Sequence, residues 1–526
     1  MTNQANRLPS RRWSIVALSS VAMATVVLSY LLAIVLACAC FLLPVLFFVV
    51  MPMEGGNFLF GRLLLSVFGI AVGLTVLGSL IPKKEDIKVN GVPIDLRQER
   101  RLKQEIEAVA VALKEPMPTE IYLIGDANAF VSESGGRRVL GLGLPLMQML
   151  TIQQFRAVLA HEFAHYYSGD TRMGPWVYNT GRTVGRVYEN LGRKSEVLKF
   201  LRRWAVVYVP YMALMGGLRL YWTAFLRVTQ AISRRQELRS DELACHVAGS
   251  QALIEGLEKI RMCASALSPY WNSVVLPATM RGYQPELGEG FQRYMQAPPI
   301  AKATAEALAQ QIAVAKPAPL DSHPPLSQRV DRARRYNLPA TETAAEEGSR
   351  PMVSLLNELH ALETGLLKRL VPAAAAVELK PLSWETLGAD VYVPAWRKQV
   401  EAFAGALASR RMSEFAALVL APAPIAQMVP NPPGVRLNPA QRAGRAWDVL
   451  YCALALSLLD NGWTLVSLPG DIHLERDGHR MDPRQVINEL RAGQISVMAW
   501  VQYRAEREIG DWPLATTARD TVGAQA

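Results

Sequence analysis

Two stretches near the N-terminus set the first constraint on this 526-residue chain. Residues 13–50 contain no charged side chain, and residues 63–81 form a second uncharged apolar run. A helix needs roughly 20 apolar residues to cross the hydrocarbon core of a bilayer, and each run supplies them. The first run is too long for a cleaved signal peptide and lacks a small-residue cleavage pattern. Residues 1–82 are therefore expected to form a transmembrane hairpin, with spans within 13–50 and 60–81 and Pro52, Glu54, Gly55 and Gly56 in the loop between them. Arg7, Arg11 and Arg12 precede the first span, and Lys83, Lys84, Lys88, Arg97, Arg100, Arg101 and Lys103 follow the second; the loop holds only Glu54 and Arg62. That asymmetry places both ends of the hairpin, and everything they carry, on the cytoplasmic side. Two spans hidden within residues 13–50 would reverse the side but leave the basic flanks on opposite faces.

The second constraint is His161-Glu162-Phe163-Ala164-His165, an HExxH pattern in a chain with only 7 histidines. On a helix the two histidines fall one turn apart on one face and can reach one zinc ion, with Glu162 placed to polarise a bound water. The flanking sequence reads as that helix. Thr151 and Gln154 have capping-box spacing, Phe155, Val158, Leu159 and Phe163 recur at helical intervals, and Gly169 offers a stop. Upstream, Glu120–Ile124 and residues 138–142 read as short strands around a turn region, 125–136. An edge strand there, with Asn128, Leu140 and Gly141 as candidates, could pair with an extended substrate backbone.

A catalytic zinc site needs a third protein ligand and an open fourth position. Glu237 and Asp241 share one helical face, and two buried carboxylates at that spacing are favourable if Glu237 binds the ion and Asp241 accepts a hydrogen bond from a ligand histidine. Glu242 is the rival on this helix, but it points about 100 degrees from Asp241 and is expected to be solvated.

These features together resemble peptidase family M48, the membrane-associated zinc metalloendopeptidases that include the heat-shock membrane and prenyl-protein CAAX groups. The resemblance covers residues 85–335. It implies a gluzincin-like domain with one zinc per chain, held by His161, His165 and Glu237, with Glu162 as general base and Asp241 behind the ligands. Asn128-Ala129-Phe130 resembles the family's Asn-Ala-Phe segment before the active-site edge strand. Ser240 departs from the family, where alanine is common. His323-Pro324 followed by Arg329 is similar to a family segment whose histidine steadies the oxyanion; His323 is the candidate for that role, and Arg329 for oxyanion or structural support. The resemblance thus implies hydrolysis of peptide bonds without a covalent enzyme intermediate.

Between the two zinc-ligand helices, residues 204–225 are apolar but interrupted by Gly216, Gly217 and Arg219. A lone span there would put Glu237 across the bilayer from the histidines. The segment is therefore expected in the interface, in a groove, or paired with a second membrane element. Residues 338–350 read as a linker, 351–370 as an amphipathic helix closing the peptidase domain, and 371–526 as an accessory domain. That domain is expected to hold helices near 400–420 and 442–459, strands at 463–468 and 472–476, and a helix from Pro483. It shows no catalytic constellation.

The formal charge of +10 suits anionic lipid, and no nucleic-acid motif accompanies it. Five cysteines lie at no metal-ligand or disulfide spacing, and His246, His360, His473 and His479 have no partner pattern. The expected fold class is α+β: a mainly helical zinc-peptidase domain behind a transmembrane hairpin, with a separate C-terminal α+β domain. The expected partners are polypeptides, above all membrane proteins, and the lipid bilayer. The expected location is a bacterial inner membrane with the catalytic domain facing the cytoplasm, and the expected role is protein quality control. The rival readings are a narrow CAAX-type processing protease and a non-catalytic zinc-binding scaffold or chaperone; Glu162 weighs against the last, since a structural zinc site has no use for a base.

Overall fold

The computed structural model describes residues 13–50, 56–80, 88–134, 136–167, 185, 205–313, 323–340 and 345–515. Arg7, Arg11, Arg12, Lys83, Lys84, Gly169, Trp204 and Ser322 lie outside the described residues. The chain is mostly helical and divides into two compact units, residues 1–262 with 307–359 and residues 263–306 with 360–526.

In the first unit, α1 (Trp13–Val45) and α2 (Gly56–Leu80) are long and apolar enough to cross a membrane. No turn divides α1. Gly69 and Gly73 of α2 lie where a Cβ would meet Leu43, the Cys40 carbonyl or the Phe41 ring, so the two helices approach closely through their small residues. β1 (Gly91–Pro93), β2 (Glu120–Ile124), β3 (Ala129–Ser134) and β4 (Arg137–Gly143) form one sheet in the order β1-β2-β4-β3. β2 and β4 are parallel and the outer pairs antiparallel.

This order corrects two expectations. The region 125–136 is not only a turn, because it contains β3. Leu140 and Gly141 are not on an edge, because β4 is paired on both sides and Leu140 is fully buried. The edge beside them is β3. Gly141 faces Phe130 across the ladder, where any Cβ would collide with the ring. Asn128 sits just before β3, and its carbonyl accepts from Gly143 N–H at 2.9 Å. That bond sets the ladder phase, so Ala129 and Val131 turn their main-chain groups away from β4.

α3 (Arg100–Leu113) and α5 (Ile152–Tyr167) pack beside the sheet, with α4 (Leu144–Met149) leading into α5. Thr151 and Gln154 exchange side-chain and backbone hydrogen bonds at 3.0 and 3.2 Å, a capping box at the start of α5. Phe155, Val158, Leu159 and Phe163 are buried. Arg156 clamps α5 to α3 through Glu105 at 2.6 and 2.9 Å.

α6 (Ala205–Ala248) is one continuous helix of 44 residues. Its first half packs against both apolar helices: Tyr211 lies among Leu64, Leu65 and Phe68, Leu214 and Leu218 join the Ala37, Cys40, Val72 and Val76 cluster, and the Tyr221 hydroxyl is hydrogen-bonded to Ser29. The apolar segment thus has α1 and α2 as helical neighbours and continues without a break into the stretch that bears Glu237.

α7 (Ser250–Tyr270) and α9 (Pro298–Ala313) are each divided by the unit boundary, whereas α10 (Leu326–Tyr336) belongs to the first unit. The expected helix over 351–370 is two pieces, a 3-10 turn at Met352–Leu355 and α11 (Leu359–Leu370). Pro351 bridges to Thr151, and Met352 N–H bonds the Leu150 carbonyl, which pulls the turn onto the start of α5.

In the second unit, residues 263–306 join the C-terminal segment at several points. β5 (Tyr283–Gln284) pairs with β6 (Lys380–Pro381), Gln284 donates to the Thr364 hydroxyl, the Tyr392 hydroxyl donates to the Ser273 carbonyl, and Glu363 on α11 accepts from the Leu287 and Gly288 N–H groups that open α8 (Leu287–Gln296). The expected helix at 400–420 is broken into α12 (Val393–Ala402) and two short pieces, Ala404–Leu407 and Phe415–Leu420. α13 (Pro439–Asp460) begins on an Asn438–Gln441 capping box and is buried from Val449 to Leu458. β7 (Thr464–Leu468), β8 (Asp471–Arg476) and β9 (His479–Met481) form a meander before α14 (Pro483–Arg491) and α15 (Val497–Glu506). Asp477 and Gly478, both at positive φ, make the tight β8–β9 turn.

Burial raises the Glu363 carboxyl to about 7, against the pull of its two N–H donors. The folded form therefore holds its proton more tightly than the unfolded chain. Its contribution to stability is complete below about pH 4.5 and is lost as pH rises through 7. A denaturant series should show the second unit weakening over that interval by an amount on the order of 3 kcal/mol. Glu363→Gln, which keeps an acceptor but cannot ionise, should flatten the profile.

Candidate metal centre

α5 and α6 build the site by facing each other. His161 and His165 lie one turn apart on α5, their rings edge-on with centroids 5.1 Å apart. Glu237 of α6 reaches between them: Oε2 is 3.4 Å from His161 Nε2, and Oε1 is 3.6 Å from His165 Nε2. The ligand atoms of these three residues all lie within 4.8 Å of one another. Donors around a tetrahedral ion with bonds of about 2.0–2.1 Å stand about 3.3 Å apart. Glu237 Oε2 is buried and faces His161 Nε2 at 3.4 Å, His323 Nδ1 at 3.1 Å and Arg329 Nη1 at 3.8 Å. The donor set of two imidazoles and one carboxylate, at spacings near that value, therefore fits a metal ion.

The charges agree. Burial pushes His161 toward its neutral form, but Asp241 and Glu237 outweigh it and raise its pKa to about 9. Burial likewise opposes ionisation of Glu237, yet His161, His323 and Arg329 hold its carboxyl well below the usual range. A proton on His161 thus supplies positive charge that an ion would supply instead. Glu162 is partly buried beside the ligands, and that burial raises its carboxyl above the ordinary value despite the nearby histidines.

Behind the ligands stands a second layer. Asp241, with no exposed surface, lies 3.0 Å from His161 Nδ1 and accepts from Arg329 Nε at 2.8 Å and Nη2 at 2.6 Å. Arg329 comes from α10 and is itself buried. Despite burial its neighbours hold Asp241 near 2 and keep the guanidinium charged, Arg329 leading for the carboxyl and Asp241 for the guanidinium. His323, just before α10, is 56% exposed, with Nδ1 3.1 Å from Glu237 Oε2. Glu242 is not solvated as expected; it is buried and paired with Arg239 at 2.7 Å, because α6 is covered on that side too.

Asn128, Leu140 and Gly141 are in the sheet rather than among the ligands, Leu140 and Gly141 within it and Asn128 at the start of β3. β3 is tied to the end of α5: the Tyr166 hydroxyl donates to the Ser132 carbonyl at 3.3 Å, and the Arg138 guanidinium lies 4.5 Å over the Tyr166 ring.

Two residues escaped sequence reasoning. Ser240 places Oγ 3.4 Å from His165 Nδ1. Arg261 on α7 is buried enough to depress its pKa, and its charge is felt by Arg329 and Glu237. Nothing in the sequence around Arg261 distinguishes it from a solvated arginine.

Residues 96–337 match the model of peptidase family M48. Protease HtpX of Pseudomonas entomophila (strain L48) is 27% identical over 307 residues, covering 54% of this chain and 89% of the relative. Protease HtpX of a Pseudomonas putida strain is 26% identical over 255 residues, covering 45% of this chain and 72% of the relative.

Removing one partner of a buried ion pair leaves the other uncompensated, at a cost of about 3–5 kcal/mol. Arg329→Met should show that loss in thermal unfolding, and Arg329→Lys should recover only part of it, since one ammonium cannot span both oxygens of Asp241. Asp241→Asn should weaken metal binding about 10–100-fold in chelator competition.

Proposed function

Taking residues 96–337 as an M48 peptidase region, we propose that the chain is a zinc-dependent endopeptidase acting on membrane or membrane-associated proteins in quality control. The observation that carries this reading is the convergence of His161, His165 and Glu237, with Glu162 beside them. Two imidazoles and one carboxylate are a donor set suited to catalytic zinc with an open position. One zinc per chain, when bound, supplies positive charge that acidifies water and polarises the scissile carbonyl.

The protein's own groups do the rest. Glu162 takes a proton from the attacking water and returns it to the leaving nitrogen. Its raised pKa narrows the gap between those two duties. His323, on the exposed side of Glu237, donates to the oxygen on which negative charge develops. Arg329 is a positioning residue, because both its hydrogen bonds to Asp241 fix the carboxylate that orients His161. The outward N–H and C=O groups of Ala129 and Val131 on β3 receive an extended substrate as an added strand.

Membrane attachment through α1 and α2 rests on their length and composition, and the cytoplasmic placement of the site on the basic flanks of the hairpin. That arrangement puts the peptidase next to substrates that are themselves membrane-bound.

Glu162→Gln should retain zinc and lose casein cleavage by about 10²-fold or more. Any self-cleavage of the purified chain should vanish with it. Cleavage that persists in this variant would refute the assignment of the base, and absence of zinc from the wild type would refute the metal assignment. Val131→Pro removes one outward N–H from an edge strand that tolerates proline. It should raise KM for an extended peptide several-fold while leaving zinc content unchanged.

A further inference from the structure

A cleft of about 990 Å³ opens between the second half of α6 and α10. Arg234 and Arg235 line it from α6, and Arg332 and Arg335 from α10, against a single acid, Asp331. That acid is already opposed by Arg334 at 3.7 Å, and Arg332 is steadied by the Tyr336 hydroxyl at 2.8 Å. A cavity lined by four arginines, of which Arg235 and Arg335 have no ion-pair partner among the described residues, suits an anion with several oxygens, and a phosphate matches their forked donors.

The height of the cleft along α6 identifies where such a phosphate comes from. Ser29 of α1 is hydrogen-bonded to Tyr221 of α6 and stands sixteen positions inside Trp13, where the uncharged run begins. The two helices run in opposite directions, since residues further along α1 meet earlier residues of α6. Thirteen positions beyond Tyr221 is Arg234, which therefore lies level with Val16, close to the end of that run, which Arg11 and Arg12 precede in the sequence. Arg235 is the next residue, so both stand within a long side chain's reach of the headgroup layer. Leu238 and Ile312 give the cleft an apolar wall that an acyl-linked glycerol would meet and inorganic phosphate would not.

We propose that this cleft binds the phosphate headgroup of an anionic phospholipid from the leaflet that α6 leaves, a placement that rests on the membrane reading of α1, α2 and α6. The bound lipid bridges the helix that bears Glu237 to the helix that bears Arg329.

The test uses the full chain in detergent with equal amounts of phosphatidylglycerol and phosphatidylcholine, and native mass spectrometry to read the lipid retained. The wild type should prefer phosphatidylglycerol, and each arginine removed should cut that preference about five-fold. Arg235→Gln/Arg335→Gln is the variant to compare, with casein cleavage in detergent confirming that it folds and stays active. An unchanged preference in the variant overturns the proposal. So does displacement of the lipid by millimolar inorganic phosphate or by an acidic peptide, since either would show a site that reads charge without lipid. Alkaline carbonate extraction of membranes reads the premise separately. A chain released to the aqueous fraction defeats the membrane reading and the proposal together, whereas a retained chain with unchanged preference defeats the proposal alone.

Discussion

The site depends on a buried row of alternating charges. Glu237, His161, Asp241 and Arg329 come from three helices, and no two neighbours in the row share a sign when His161 carries a proton. Each member is buried, so none has water to stabilise it and each relies on the next. Taking any one away would strand its neighbour in a medium of low polarity. The row ends on Glu237, whose two carboxylate oxygens face His161 Nε2 at 3.4 Å and His165 Nε2 at 3.6 Å. A bound cation at that end would be shared by the carboxylate and both imidazoles.

How far this could be read from the sequence depended on the range of the interaction. Local signals were plain: Thr151 and Gln154 announced the helix, and the interval between His161 and His165 fixed their shared face. The interval between Glu237 and Asp241 put both carboxylates on one side of α6, and that side faces α5. Signals that depend on strand order were hidden. Leu140 and Gly141 look like an exposed strand in isolation, but β3 returns beside β4 and takes the edge, a pairing that only the packing of Phe130 over Gly141 explains. Burial of Glu242 was hidden for a similar reason, because Arg239 on its own helix neutralises it out of water. Ser240 contacts His165 through its hydroxyl, a long-range pairing that no local pattern announces.

The second unit illustrates a different limit. A break in composition after residue 370 is visible in the chain, but the recruitment of residues 263–306 is not. It is made by scattered contacts, among them a two-residue strand pairing and one carboxylate at a helix start, and these leave no periodic pattern. The long uninterrupted course of α6 was equally concealed, since Gly216, Gly217 and Arg219 read as breaks in an isolated helix. Packing against α1 and α2 overrides them, as neighbouring helices commonly do for glycine in apolar surroundings.

That continuity makes α6 a lever. On the membrane reading, its apolar half answers to the thickness of the bilayer, and a helix meets a mismatch by tilting. Glu237 stands about 15 Å of helix beyond Arg227. A tilt of about 4 degrees at Arg227 would then carry Glu237 sideways by about 1 Å, the scale on which catalytic geometry is felt. His161 and His165 ride on α5, held to α3 through Arg156 and Glu105, so they have a different mounting. The spacing between the carboxylate and the two imidazoles would thereby become a gauge of the lipid around it.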